Sequence, residues 1–177
     1  ATTGHLEKIA DFLIGQAGGR PSFKGYKSSN DDKPFPTALC VCINNEVVHA
    51  PSLPSRELKS GDIINIDIGM QYKGFYTDMA AAAAVGKASR EAQKLIKVSK
   101  QALAKGIEQV RPGNSLNNVG KAIEQYVKAS GFSVVRDLVG HGVGYGVHEE
   151  PQIPNYDLVY NKKIILKPGM VLAIEPM

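Results

Sequence analysis

An internal repeat constrains the fold of this chain more than any other feature of its sequence. Residues 58–67, LKSGDIINID, align without gaps on residues 166–175, LKPGMVLAIE. Upstream of each copy, a segment with helical periodicity ends in a glycine, at Gly18 and Gly131. Because both copies end on a carboxylate, Asp67 or Glu175, a pseudo-twofold fold would bring these two acids together. We therefore predict two half-repeats, residues 1–86 and 87–177, in a single domain. The alternative is a chance match, since Leu-Lys-x-Gly is a common turn sequence.

The same comparison predicts that the domain is incomplete at both ends. A long amphipathic helix predicted over residues 87–110 precedes the second copy, and its counterpart would lie before Ala1. The strand that follows the first copy carries Asp78, and its counterpart would lie beyond Met177. We expect a longer, symmetric whole.

Composition narrows the class of protein. The chain has 177 residues, of which 43% are hydrophobic, enough for a sizeable core. Its longest apolar run, residues 79–85, is far shorter than the ~20 residues of a membrane span, so we expect no membrane partner. The net charge of +4 rests on scattered lysines, which are typical of solvated helix faces. We expect no direct nucleic-acid recognition, although a weak positive field would favour residence near an anionic assembly such as a ribosome.

The two cysteines indicate the redox state of the cellular compartment. Cys40 and Cys42 are two residues apart in an alternating apolar run, where both side chains share one face of a strand. A disulfide between them is geometrically disfavoured. We therefore expect free thiols and a cytoplasmic location.

Periodicity and turn signals predict an alternation of helices and strands. Helices are predicted from Thr2 or Thr3 to Gly18, over residues 87–110, and from Asn114 or Ser115 to Gly131, and a loop is predicted over residues 21–36. We expect the apolar face of the first helix to be Leu6, Ile9, Ala10, Leu13 and Ile14. The predicted strands are a hairpin over residues 39–48, the pair 62–70 and 74–85, and the segments 134–138 and 170–175.

Three acids in apolar strands predict a metal site. Asp67, Asp78 and Glu175 would be costly to bury without a positive partner, and no Lys or Arg is adjacent to them in the sequence. His141 lies between two glycines, on backbone that can turn tightly. Carboxylates with one imidazole suit divalent Mn, Fe, Co or Zn, and a carboxylate-rich set favours two ions.

Histidines provide candidate hydrogen-bond donors for such a site. His49 and His148 fall at the ends of predicted strands or glycine loops, where they could bind a substrate amide and stabilise a tetrahedral intermediate. The alternative for each is a structural histidine before a proline turn. His5 lies on the first predicted helix, and we expect it at the surface.

Taken in order, these motifs identify a resemblance that extends over nearly the whole chain. The sequence resembles the type I methionine aminopeptidases of the pita-bread fold in Val48-His49-Ala50-Pro51, Ile66-Asp67-Ile68-Gly69, Thr77-Asp78, Gly140-His141-Gly142-Val143-Gly144, His148-Glu149-Glu150-Pro151 and Ile174-Glu175-Pro176-Met177.

The resemblance implies a fold. It is an α+β fold in which two pseudo-symmetric halves form a central antiparallel sheet covered by helices, so that residues 1–177 are a single, incomplete catalytic domain. It also implies a partner, the N-terminal methionine of nascent polypeptides, and we expect a monomer.

The resemblance further implies roles for individual residues. Asp67, Asp78, His141 and Glu175 would bind two divalent metal ions. His49 and His148 would bind and polarise the scissile peptide, and a metal-bridging hydroxide would attack its carbonyl, with Glu175 as general base. The residues that match the methionine pocket are Phe35, Cys40 and Val147.

Two departures from the family pattern affect these expectations. Ala50 stands where the family usually has glycine after the histidine, and the family's fifth ligand, a glutamate, would lie beyond Met177. We therefore expect the 177-residue chain alone to bind metal weakly and to be poorly active.

Two alternatives share the fold. One is an Xaa-Pro aminopeptidase or prolidase, which usually carries an additional N-terminal domain; the other is a pita-bread module that binds proteins without catalysis. The type II methionine enzymes are excluded, because the 26 residues between His148 and Glu175 leave no room for their helical insertion.

Overall fold

The computed structural model describes residues 1–28 and 32–177. Residues 29–31, inside the predicted loop 21–36, lie outside the described residues. The chain divides into two compact units, Ala1–Ala92 with Gly144–Val147, and Gln93–Val143 with His148–Met177. The half-repeats over residues 1–86 and 87–177 stay a prediction.

The first unit packs one helix against an antiparallel sheet. Helix α1 (Thr3–Gln16) begins at Thr2, whose hydroxyl accepts a hydrogen bond from the backbone N–H of His5. The sheet contains β1 (Arg20–Pro21), β2 (Leu39–Ile43), β3 (Ile63–Tyr72) and β4 (Phe75–Ala84). Strand β3 pairs with the other three, and Lys73-Gly74 joins it to β4 with positive φ angles of 49° and 84°. This two-residue turn sets the register of the β3–β4 hairpin. The hairpin confirms the predicted strand pair 62–70 and 74–85.

The predicted hairpin over residues 39–48 is wrong. Strand β2 pairs antiparallel with β3, with Val41 opposite Ile66, and the described residues 44–62 contain no strand. The returning segment makes one bridge, between Cys40 and Pro51. His49 has a φ of 59°, which is incompatible with an extended strand.

The predicted buried face of α1 is partly wrong. Ile9 and Leu13 are 42% and 55% exposed, whereas Glu7 is buried. The Glu7 carboxylate accepts hydrogen bonds from the backbone N–H groups of Ala38 and Leu39, at 2.7 and 3.0 Å, and from the Ser52 hydroxyl at 2.6 Å. Three donors compensate the cost of burying this charge, so α1 turns an acid toward the sheet.

The second unit packs helices against a short antiparallel sheet. Most of helix α2 (Arg90–Ile107) belongs to this unit. Helix α3 (Leu116–Ala129) begins at Ser115, whose hydroxyl caps the first turn. The strands β5 (Gly140–Gly142), β6 (Glu149–Ile153) and β7 (Leu172–Ala173) pair in the order β6–β5–β7, and a 3-10 helix spans Val159–Lys163. The buried core consists of Val98, Ala102, Leu116, Val119, Ile123, Val127, Ile153 and Leu166.

Two strand predictions in this unit need correction. Residues 134–138 form no strand; within this segment the guanidinium of Arg136 binds the Glu124 carboxylate at 2.6 Å and stacks on the Tyr156 ring. The predicted strand 170–175 shortens to Leu172–Ala173.

The mixed helices and antiparallel sheets agree with the predicted α+β class. Among the described helices, none is long and apolar enough to cross a membrane.

Candidate active site

The two aspartates lie on neighbouring strands of the first unit. Asp78 in β4 stands opposite Gly69, and Asp67 in β3 stands opposite Ala80. Since Asp67 and Gly69 are two apart on one strand, the two acids project from the same face as diagonal neighbours. Both are half-buried. The side chains of Asp67 and Asp78 therefore share one face of the β3–β4 pair.

The predicted pocket residues pack together on the first unit. Cys40 and Val147 are buried with Phe23, and Phe35 packs against them with Tyr26 and Tyr76. Phe23 and Tyr76 belong to this cluster as well and were not among the predicted residues. Burial, and then the nearby Asp67 carboxylate, raise the pKa of the Cys40 thiol. Both cysteines are free, as predicted.

His49 is exposed and lies beside Cys40, because its backbone N–H hydrogen-bonds the cysteine sulfur. The guanidinium of Arg56 holds this segment. It donates to both carboxylate oxygens of Glu46, at 2.6 and 2.7 Å, and to the main-chain oxygen of Val41 at 2.6 Å. Sequence reasoning missed Arg56, for which no local pattern gave a signal.

His141 and Glu175 face each other in the second unit. Nδ1 of His141 lies 2.8 Å from the main-chain oxygen of Gly142. Because a carbonyl only accepts, Nδ1 carries a proton, and in the neutral tautomer the lone pair is on Nε2. Nε2 lies 3.2 Å from Oε1 of Glu175. That oxygen is buried and accepts no hydrogen bond within residues 1–28 and 32–177. Two electron-pair donors facing each other fit a divalent cation.

The glycines on either side of His141 allow close strand packing. A Cβ at Gly140 would collide with the main-chain oxygen of Ala173, and one at Gly142 with that of Glu150. Glycine at both positions therefore lets β5 lie between β6 and β7, which places His141 in the ladder opposite Ala173. Gly140 and Gly142 thus stand where neighbouring strands come close, and the His141 side chain lies between them.

His148 lies next to His141 at the start of the segment that leads into β6. Its ring is 4.5 Å from the His141 ring, centroid to centroid, in an edge-on arrangement. His148 is exposed, whereas His141 is buried, so the two imidazoles differ in their access to solvent. His5 is exposed on α1, as predicted.

The structure thus brings the predicted site residues together in three groups. In the first unit these are Asp67 with Asp78, and Phe35 with Cys40 and Val147. In the second unit the group is His141, His148 and Glu175. Sequence reasoning also missed Asn155, whose side chain donates to the main-chain oxygen of Glu175 at 2.6 Å.

Comparison with known proteins relates this arrangement to one family. The model of metallopeptidase family M24 matches residues 2–177. Methionine aminopeptidase 1 of Bacillus subtilis is 48% identical over 177 residues, which cover 99% of this chain and 68% of that protein. The crystal structure of the Thermotoga maritima methionine aminopeptidase superposes with a TM-score of 0.91 at 38% identity, over 99% of this chain and 68% of that one.

More distant solved structures share the fold. The prolidase of Pyrococcus horikoshii superposes with a TM-score of 0.77 at 20% identity, over 99% of this chain and 46% of its own, which is a likeness of fold alone. The pita-bread fold predicted from the motifs is confirmed. The match over residues 2–177 and the 48% identity with a relative of which 68% is covered lead to one conclusion: the chain belongs to metallopeptidase family M24.

Proposed function

We propose that this protein is a metal-dependent aminopeptidase that removes the N-terminal methionine from polypeptides. The observation that carries the proposal is the pair His141–Glu175, whose facing donor atoms lie 3.2 Å apart. The name of a similar relative supports methionine as the residue removed, since the protein that is 48% identical over 99% of this chain is a methionine aminopeptidase.

Members of this family are metallopeptidases, so the activity depends on divalent metal. We propose two ions, of Co, Mn, Fe or Zn, bound by Asp67, Asp78, His141 and Glu175. Carboxylate oxygens with one imidazole nitrogen suit these metals. When bound, such ions polarise a carbonyl and lower the pKa of a water molecule.

The protein side chains would then divide the chemistry among them. Glu175 accepts the proton of the attacking water and returns it to the leaving amine. His148 and His49 donate hydrogen bonds to the scissile peptide, so that negative charge developing on its oxygen is stabilised. The exposure of both rings supports contact with a substrate that arrives from solvent.

The apolar cluster around Cys40 would receive the methionine side chain. Phe35, Cys40 and Val147 offer aromatic and aliphatic surface, to which an unbranched thioether adapts well. The burial of Cys40 and Val147, at 4% and 7% exposure, supports a dry pocket.

We further propose that the protein acts as a cytoplasmic monomer on nascent chains near the ribosome. The two free, buried cysteines support a reducing compartment.

Peptide hydrolysis tests the proposed function. The full-length protein, stripped of metal and reloaded separately with Co, Mn, Fe or Zn, is assayed on Met-Ala-Ser and on an Xaa-Pro peptide. We expect cleavage of Met-Ala-Ser, dependent on added metal and abolished by a chelator. Cleavage of the Xaa-Pro peptide alone would establish the prolidase alternative, and failure to bind any of the four metals would favour a non-catalytic binding module.

A further inference from the structure

We infer that Asn155 is a positioning residue that holds Glu175 in the geometry needed for metal binding. The inference rests on the proposed function, in which Glu175 is a metal ligand. Nδ2 of Asn155 donates to the main-chain oxygen of Glu175 at 2.6 Å, and the asparagine is 0% exposed. This short hydrogen bond comes from a fully buried donor residue, so it restrains the glutamate backbone.

Glu175 needs such a restraint because its strand ends before it. Strand β7 spans Leu172–Ala173 and pairs with β5 there, two residues short of the glutamate. At Glu175 itself, the Asn155 side chain takes over the role of the ladder. The Ser99 hydroxyl of α2 donates to the next main-chain oxygen, that of Pro176, at 3.2 Å, so it holds the residue after the glutamate.

Asn155 is itself anchored on α3. A Cβ at Gly120 would collide with the main-chain oxygens of Pro154 and Tyr156, so the backbone on both sides of Asn155 packs directly on the helix. The neighbouring Val119 of α3 is 0% exposed in the core of the second unit. The asparagine therefore transmits the position of a rigid helix to Glu175.

The other end of the metal-binding pair is fixed independently. His141 is tied to the main-chain oxygen of Gly142 through Nδ1, so its Nε2 cannot follow a displaced glutamate. A shift of the Glu175 backbone changes the 3.2 Å separation between Oε1 and Nε2. Removing such an outer hydrogen bond typically weakens metal binding by about 10- to 100-fold.

The other polar atom of the Asn155 side chain indicates that this residue does not serve to stabilise the fold. Its Oδ1 is buried and accepts no hydrogen bond from the described part of the chain. An unsatisfied buried acceptor destabilises a fold, and a leucine of similar shape would avoid that cost. The donor Nδ2 is the atom that gives asparagine an advantage at this position.

The variant Asn155→Leu in the full-length protein tests the inference, with Ser99→Ala as the matched control. Ser99→Ala removes a longer hydrogen bond to the neighbouring residue of the same segment. Three quantities are measured: the Mn²⁺ dissociation constant by calorimetry, kcat and KM on Met-Ala-Ser, and the melting temperature of the metal-free protein.

We expect Asn155→Leu to raise the Mn²⁺ dissociation constant by about tenfold or more. It should lower kcat with little change in KM, at a melting temperature near that of the wild type. Ser99→Ala should keep the wild-type metal affinity. If the leucine variant does not fold, Asn155→Ala takes its place, since a smaller side chain cannot clash.

The inference would be overturned if the folded Asn155 variants kept wild-type Mn²⁺ affinity and kcat. It would also be overturned if Ser99→Ala lost as much Mn²⁺ affinity as they do. These outcomes are distinct from failure of the proposed function, in which the wild type itself would bind no Mn²⁺.

Discussion

Cys40 lies directly opposite Asp67 in the antiparallel ladder between β2 and β3. Asp78 is the diagonal neighbour of Asp67 on the same face, and Phe35 packs against the cluster that contains Cys40. One sheet face thus carries an apolar cluster and a pair of acids. A substrate side chain seated in the cluster would be held against groups on the same rigid element, which favours accurate positioning.

The Cys40 thiol should be unreactive in the folded protein. Burial, together with the Asp67 carboxylate, raises its pKa, so the thiolate fraction at pH 8 is below that of an ordinary cysteine. We expect iodoacetamide to alkylate Cys40 far more slowly in native protein than in guanidinium, as followed by peptide mass spectrometry. Equal rates in the two conditions would show that the thiol is accessible and ionised.

The histidines should separate into ligands and hydrogen-bond donors. We expect His141→Ala to lose measurable Mn²⁺ affinity, because it removes a proposed ligand. His49→Ala and His148→Ala should keep that affinity and lower kcat on Met-Ala-Ser by about 100-fold, the usual loss for one donor to a developing oxyanion. His5→Ala, on the exposed face of α1, is the control and should change neither quantity. Normal turnover by His148→Ala would exclude its proposed role.

Shortening Val147 should weaken substrate binding more than chemistry. Val147→Ala removes two methyl groups from the cluster with Cys40 and Phe23, and we expect KM for Met-Ala-Ser to rise about tenfold at nearly constant kcat. Steady-state kinetics measures both constants. Val171→Ala removes the same atoms from a residue that is 60% exposed, and its kinetics should match the wild type. An unchanged KM for Val147→Ala would place the methionine side chain elsewhere.

Glu7 should be a large contributor to stability. Glu7→Ala leaves the backbone N–H groups of Ala38 and Leu39 and the Ser52 hydroxyl without their acceptor, and we expect the free energy of unfolding to fall by about 3 kcal/mol or more. Urea titration monitored by circular dichroism measures this change.

Asp11 provides the control on the same helix. Its contact with Lys24 is 3.4 Å long and exposed, so Asp11→Ala should change the free energy of unfolding by less than about 1 kcal/mol. Similar losses in the two variants would show that the Glu7 hydrogen bonds add nothing beyond a surface ion pair.

The β3–β4 hairpin was predictable because its signals are local. Ile64, Ile66 and Ile68 alternate with polar residues, and Lys73-Gly74 allows a two-residue turn, so the common face of Asp67 and Asp78 follows from the period of the strand. The cap of α3 at Ser115 was predictable for the same reason. The wrong hairpin over residues 39–48 shows the limit: alternation identified a strand and could not identify its partner, which lies more than twenty residues away at β3.

The sequence by itself determined the family, the α+β class and the order of the acids and histidines along the chain, because these depend on short motifs and on periodicity. Only the tertiary structure decided that Glu7 is buried, that Arg56 holds the His49 segment and that Asn155 binds the backbone of Glu175. The hydrogen bonds of Glu7 reach residues 31 to 45 positions away, and that of Asn155 spans 20 positions. Whether such a polar group is buried and satisfied depends on which distant backbone packs against it, and no local pattern carries that information.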